Sequence, residues 1–279
     1  MDEVVSVVIV CFNRQEDATE AIESLLNQTV KPLEIILIDD GSSPPLSLSV
    51  NGEHLKIVRL DHEVGLSNAR NIGVKMASGK YVAFIDDDAI AERTWIEEVQ
   101  RNVVDCDIFG GAIYPLYLAR PPDWWNEKDF GEYVGVGNIW KSHGRNQIWG
   151  TNMVIKKEVF REIGYFNPLL GRQKGKLISC EEEDFVERAR RVGLRVKFVS
   201  KVKVFHKVKQ SRMTLSYLFR RSYYAGKSQK SMSGYQPART LFDILRLVIL
   251  MASPSTFISS KNDKIAKIIW IAWLLGHLY

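Results

Sequence analysis

The apolar run YVAFI at 81–85 ends in three consecutive carboxylates, Asp86, Asp87 and Asp88. Like charges in a row repel one another and gain nothing from an apolar neighbourhood, so such a run asks for a counter-charge. Asp86 and Asp88 are two residues apart and share a side if the chain stays extended. Their hard oxygens suit Mn²⁺ or Mg²⁺, ions that usually complete their shell with water and substrate phosphates. Asp is also common at strand ends and turns, but a second pair, Asp39 and Asp40, closes another apolar run, EIILI at 34–38. Together the two clusters point to a divalent ion bridging to a diphosphate. Further along, Glu181, Glu182, Glu183 and Asp184 follow Ser179 and Cys180. Ser179 and Glu182 have the spacing of a capping box, and the helix dipole favours acids in a first turn. Four successive acids exceed what capping needs.

Regular elements must hold these groups. Roughly the first 90 residues alternate strand and helix with short connections, the pattern of a parallel sheet. VVSVVIVCF (4–12), EIILIDD (34–40), HLKIVRL (54–60) and YVAFI read as strands. DATEAIESLLN (17–27) carries a helical stripe of Ala18, Ala21, Ile22 and Leu25. The loop DHEVGLSNARN (61–71) leads to a helix that ends at Gly79. Both acid-tipped strands finish at the carboxyl edge, where open α/β sheets bind ligands. Neither a G-x-G-x-x-G nor a P-loop is present, so dinucleotide and Walker-type sites are not expected. From Phe109 to Asn152 the composition shifts to Gly, Trp and Tyr, with PPDWW at 121–125, which predicts long loops carrying binding residues. A helix near 156–163, a helix from about Glu181 and a strand VKVFH ending at His206 complete the pattern.

With 279 residues, 46% apolar and 25% charged, the chain has the make-up of a globular protein with room for a core and an appendage. Cys11, Cys106 and Cys180 are few and far apart, which fits neither a disulfide framework nor a zinc site and matches a reducing cytoplasm. The acidic start and short β-branched run near the N-terminus read as a buried strand rather than a targeting signal. The net charge of +5 is uneven: eleven Lys or Arg and no acid lie between Arg195 and Lys230, a bias towards an anionic partner.

The series VSVVIVCFNR, EIILIDDGS, GLSNARNIGVKMASGKYVAFIDDD, GTNMVIKKEVFREIGYF and the acidic EEED before a helix resembles the family 2 glycosyltransferases, in order over about residues 4–206. The resemblance implies a GT-A fold: an α/β, Rossmann-like, mostly parallel sheet flanked by helices. It also implies transfer of a sugar from a nucleotide-diphosphate donor to a hydroxyl of a glycan or lipid-linked acceptor, mostly with inversion and with Mn²⁺ or Mg²⁺. Carried onto this chain, it implies that Asp39 accepts a hydrogen bond from the base, with Asp40 beside it, and that Phe12, Asn13 and Arg14 wall that pocket. Asn68 and Arg70 are then near the nucleotide; for Arg70 the alternative is a structural ion pair. Asp86 and Asp88 are the ends of the DXD motif around Asp87, and His206 stands where the family has a His on the metal or diphosphate. In the acidic motif Glu182 takes the place of the usual Asp, with Glu181 before it and Asp184 as the later acid, so which of them touches the acceptor hydroxyl stays open. Trp124, Trp125 and Trp149 offer apolar platforms for an acceptor, or else packing.

On this reading residues 1–108 bind the donor, 109–211 form the acceptor-binding and catalytic half of the same domain, and 212–279 are a basic, then apolar, helical extension. A sugar nucleotidylyltransferase would want a Gly-rich loop with Arg and Lys after the first strand, where the chain reads CFNRQED. An inactive membrane-bound scaffold of the same fold is the non-enzymatic alternative, against which the intact acids count. The apolar segments 244–252 and 265–279 are each shorter than the ~20 residues of a spanning helix. With Trp270, Trp273 and Tyr279 and the basic region before them, they predict a peripheral hold on an anionic, cytoplasmic membrane face. No nucleic-acid partner is expected.

Overall fold

The computed structural model describes residues 5–139, 147–233 and 261–278, together with Phe242 and Leu245. Strand β1 (Val5–Cys11) is buried nearly throughout, as a central strand covered on both faces must be. It lies between β2 (Glu34–Asp39) and β4 (Tyr81–Ile85), and all three run parallel, with β3 (Leu55–Arg59) parallel to β2 at the edge. β3 carries Lys56 and Arg59, charges that suit an edge strand. Beyond β4 the sheet becomes mixed, in the order β3-β2-β1-β4-β7-β6-β8-β5. Here β7 (Asn152–Lys156) is antiparallel to both β4 and β6 (Ile108–Tyr117), whereas β8 (Val196–Val208) runs parallel to β6. The three-residue β5 (Ala89–Ala91) lies antiparallel to the end of β8.

The twofold alternation of strands assigns side chains to two cores. Val5, Val7, Ile9, Tyr81, Ala83 and Ile85 face one layer, with α1 (Gln15–Leu26) and α3 (Trp95–Asn102). Val8, Val82 and Phe84 face the other, with α2 (Leu66–Met76), α5 (Val159–Ile163) and α6 (Glu181–Arg191). A side chain at Gly73 would collide with Val8, so this glycine lets α2 lie close on β1. The short α4 (Glu127–Phe130) inserts Phe130 into the first layer.

Three sequence expectations are corrected. The segment from 109 is not loop at first: residues 108–117 form β6, whose Ile108, Phe109, Ala112 and Ile113 are buried between β7 and β8. α2 starts at Leu66 and ends at Met76, so Asn68 and Arg70 sit on its first turns rather than on a loop, and Gly79 lies beyond its end. The helix expected near 156–163 is present as α5, with its start moved to Val159 because Lys156 ends β7.

In the C-terminal extension, α7 (Leu215–Ser233) and α8 (Lys261–Leu278) pack on each other. Gly226 and Gly276 mark the crossing, where a Cβ on either would meet the partner helix's backbone. Ser222 Oγ donates to Ile269 O at 2.7 Å, and Lys230 Nζ donates to Leu278 O at 2.9 Å, a basic group on a helix C-terminus. Ile265 and Ile269 enter the first core layer. No helix among the described residues is long and apolar enough to cross a membrane. The first apolar segment, 244–252, lies outside the described residues apart from Leu245.

One buried carboxylate clamps the N-terminal strands. Glu34 Oε1 accepts from Ser6 Oγ at 2.7 Å and from Ser78 N and Oγ at 2.7 and 2.6 Å, and Oε2 pairs with Lys56 at 2.6 Å. Burial alone would raise its pKa, but these donors outweigh it and hold the group at about 2. A carboxylate depressed in the fold contributes stability above its ordinary 4.5 and loses it as pH falls towards about 2. Glu34→Gln is therefore expected to lower the melting temperature at pH 7, with the gap to wild type closing as pH is lowered through that window. A pH-independent gap in calorimetry would contradict the ionic role.

Candidate active site

The chain does not stay extended through the three acids. After Ile85 it turns, with Ala89 N–H donating to Asp86 O at 3.1 Å. β5 then pairs with β8 in the register Ala89↔His206, and Lys207 N donates to Asp88 O at 2.9 Å. This register sets His206 beside Asp88, with Nε2 2.8 Å from Oδ1. The other oxygen, Oδ2, accepts from Arg212 Nη2 at 2.6 Å and Arg14 Nη1 at 3.0 Å. Burial pushes the Asp88 carboxyl up, but His206, Arg212 and Arg14 outweigh it and hold the group well below the usual range. Asp87, which shares Arg14 at 3.0 Å, is pushed up to about 7 by burial in spite of that cation.

Asp86 belongs to a second network. Arg70 is buried, and burial would lower its pKa; the carboxylates of Glu181 and Asp86 raise it instead. Its Nη1 meets Glu181 at 2.7 Å and its Nη2 meets Asp86 at 3.0 Å, while Thr151 Oγ1 donates to the other Asp86 oxygen at 2.6 Å. The guanidinium is packed near the rings of Phe84 and Phe166, and a side chain at Gly150 would collide with it. One cation from α2 thus ties the end of β4 to the start of α6.

α6 is seated by Phe185, Val186 and Ala189 on the second core layer. Arg188 fastens it to the carbonyls of Ile163 and Tyr165. The capping box does not form: Cys180 occupies the N-cap in a left-handed conformation, φ 74°, and makes no side-chain cap bond. Ser179 instead faces α7, its N–H donating to Ser228 Oγ at 2.9 Å and its Oγ accepting from Arg221 at 3.0 Å. Glu181 is raised to about 8 by burial and by its neighbour Glu182, against the pull of Arg70. Glu182 lies against the Glu181 carboxyl; its Oε1 accepts a long bond from Gly150 N at 3.4 Å, and Oε2 is buried with no donor among the described residues.

A single cleft of about 470 Å³ is lined by Phe12, Arg14, Asp40, Arg70, Asp86, Asp87, Asp88, Trp149, Glu181, Glu182 and His206. That volume is in the range of small-molecule sites. Other candidates do not line it. Asp39 faces away, held by Arg59 at 2.7 Å across the β2–β3 register and by Ser42 N, while Asp40 sits at the cleft and accepts from Val64 N and Gly65 N. Asn13, at φ 56°, braces the backbone of Ser43, and Asn68 donates to Val64 O on the far side of α2. Asp184 is one hundred degrees further round α6 than Glu183 and pairs with Arg188 at 2.9 Å. Trp124 and Trp125 cluster with Phe130 on the first core layer, and Trp125 donates to the Tyr117 hydroxyl at 3.0 Å.

The cleft also holds Glu183, from the acidic run, and Thr151, Arg212 and Arg221, which sequence reasoning missed. Arg212 lay in the basic run, but nothing local separated it from its neighbours. Thr151 was visible within GTNMVIK only as part of a series.

The metal reading has a geometric basis. Asp86, Asp88 and His206 each present a ligand atom, all within 4.8 Å of one another, and Nε2 is the His206 nitrogen that faces Asp88. Two carboxylates and an imidazole fit a divalent cation. Its charge would then compete with Arg14 and Arg212 for Asp88.

Residues 6–164 match the pattern of the family described as Glycosyl transferase family 2. The chain is 30% identical over 253 residues to the glucosyl-dolichyl phosphate glucuronosyltransferase of Haloferax volcanii, covering 84% of this chain and 78% of that protein. A glycosyltransferase of Haemophilus influenzae without an assigned reaction is 40% identical over 178 residues, 57% of this chain and 53% of its own. In fold the chain is similar to the mannosyltransferase PcManGT of Pyrobaculum calidifontis, solved with GDP-Man and Mn²⁺, with a TM-score of 0.58 and 16% identity over 99% of this chain and 87% of that one. From the family pattern and the Haloferax relative together, the chain belongs to glycosyl transferase family 2 and is a glycosyltransferase.

Proposed function

We propose that the enzyme moves a sugar from a nucleotide-diphosphate donor to a hydroxyl of a glycan or lipid-linked acceptor by direct displacement with inversion, and that Glu182 is the base. The observation that carries this is the unpartnered, buried Glu182 Oε2 in the same cleft as the Asp86–Asp88–His206 cluster. In the displacement, the acceptor oxygen bonds to the anomeric carbon and its proton passes to Glu182. The bond from that carbon to the diphosphate oxygen breaks, and the electron pair leaves with the nucleoside diphosphate. A Mn²⁺ or Mg²⁺ ion at Asp86, Asp88 and His206 supplies positive charge for the leaving diphosphate when bound. Arg14 and Arg212 bring guanidinium groups to the same place and offer it planar donors. Phe12, 39% exposed, and Asp40 are the side chains available to a nucleoside at the cleft edge. Glu181 serves the base indirectly, since its bond to Arg70 fixes the first turn of α6. The donor-binding, catalytic and C-terminal segments at 1–108, 109–211 and 212–279 describe this division of labour.

A peripheral hold on an anionic, cytoplasmic membrane face is part of the same proposal. Its support is the surface of the C-terminal pair: Leu215 and Phe219 on α7 and Ile268 and Leu275 on α8 are exposed, with the exposed Arg220, Lys227 and Lys264 on the same two helices. Full-length protein is expected to float with vesicles containing phosphatidylglycerol at low salt, and Ile268→Glu with Leu275→Glu to stay behind. Wild-type protein that remains with the soluble fraction would refute this part.

For the chemistry, Glu182→Gln keeps the size of the side chain and removes its basicity. Turnover should fall by about 10²-fold or more, with nucleotide affinity and melting temperature held. Near-normal turnover would remove Glu182 from the mechanism.

A further inference from the structure

α7 starts just after Arg212, which holds Asp88, and its middle grips the segment ahead of α6 through Arg221 and Ser228. It therefore runs along the cleft from the carboxylate cluster to the base. Arg221, Ala225 and Gln229 recur every four residues and all line the cleft, so one stripe of α7 faces it. A helix packed into a core would present an apolar stripe there. This one turns a guanidinium, a methyl group and an amide-bearing side chain to the cleft. From α8, Trp273 lines the same cleft, its ring stacked on His277 at 5.2 Å and 11°. Trp149, next to the Gly150 that touches Glu182, is the second indole on the wall.

Indole faces paired with carboxylates are the chemistry that recognises a sugar ring: apolar C–H faces lie on the ring, and hydroxyls reach the polar groups. We propose that α7 and α8 build the acceptor subsite, and that it holds a saccharide ring against Trp273 over Ala225. The inference rests on the glycosyltransferase reading of the cleft and assigns its acceptor side. It makes the C-terminal pair part of the catalytic unit. It also places the acceptor's sugar on Trp273 rather than on Trp124 and Trp125, which pack inward.

The test is saturation-transfer NMR on the full-length enzyme with Mg²⁺ and either UDP or GDP. The probes are methyl glycosides of glucose, galactose, mannose, N-acetylglucosamine and glucuronic acid. At least one glycoside should receive saturation from the wild-type protein. Trp273→Ala, and independently Ala225→Phe, which adds bulk to the cleft wall, should weaken its binding about tenfold or more or abolish it. Trp124→Ala should leave it intact, and UDP or GDP binding and circular dichroism should match wild type in all three. Absence of signal from every glycoside, or a signal that survives both Trp273→Ala and Ala225→Phe in folded protein, overturns the assignment. Hydrolysis of UDP- and GDP-sugars by the wild-type enzyme, read in parallel, separates that failure from failure of the glycosyltransferase chemistry.

Discussion

Three carboxylates at the end of a buried strand impose the constraint around which the site is arranged. A buried ion without a partner costs several kcal/mol, so each acid must be met by a cation or accept a proton. The chain meets the requirement with groups from far apart in sequence: Arg14 ahead of α1, Arg70 on α2, His206 on β8 and Arg212 ahead of α7. Each element that carries one of these groups is thereby drawn to the carboxyl edge of β4. Asp87 is the acid least well served, and its raised pKa reports it.

Two of these cations link otherwise separate parts of the cleft. Arg70 touches both Asp86 and Glu181, so the position of the acidic helix depends on the same charge that neutralises the strand end. With Glu181 committed to Arg70, Glu182 is left with an unpartnered oxygen in the cleft. Arg212 does the same for the C-terminal extension, coupling the start of α7 to Asp88. The helical pair that looks like an appendage in sequence is a wall of the cleft in space.

Much of the fold was legible because apolar runs and acid placement are local signals. The short apolar runs VSVVIVC and YVAFI and the acids at two strand ends located the sheet and its carboxyl edge. What was not legible turned on register. Asp39 and Asp40 are neighbours with opposite fates, and only the cross-strand pairing of Asp39 with Arg59 decides between them. β6 was hidden by its glycines: a side chain at Gly111 would clash with Val202 and Asn152, so residues that suggested a loop permit close strand packing. For Asp184 the signal was available, since Arg188 stands four residues on, the spacing of a helical ion pair. Trp124 and Trp125 could not be told from Trp149 by composition; the partner Phe130 and the insertion of α4 decide it.

The central claim is that the clustered acids are the cation-binding end of the site, with Arg14 and Arg212 as their counter-charges in the free protein. Diffraction at the manganese absorption edge, from crystals grown with Mn²⁺ and UDP or GDP, tests it most directly. The account predicts an anomalous peak bonded to Asp88, with at least one of the two arginines turned from that carboxylate to the diphosphate. A manganese peak elsewhere, or nucleotide bound with both arginines still on Asp88 and no metal beside it, would contradict it.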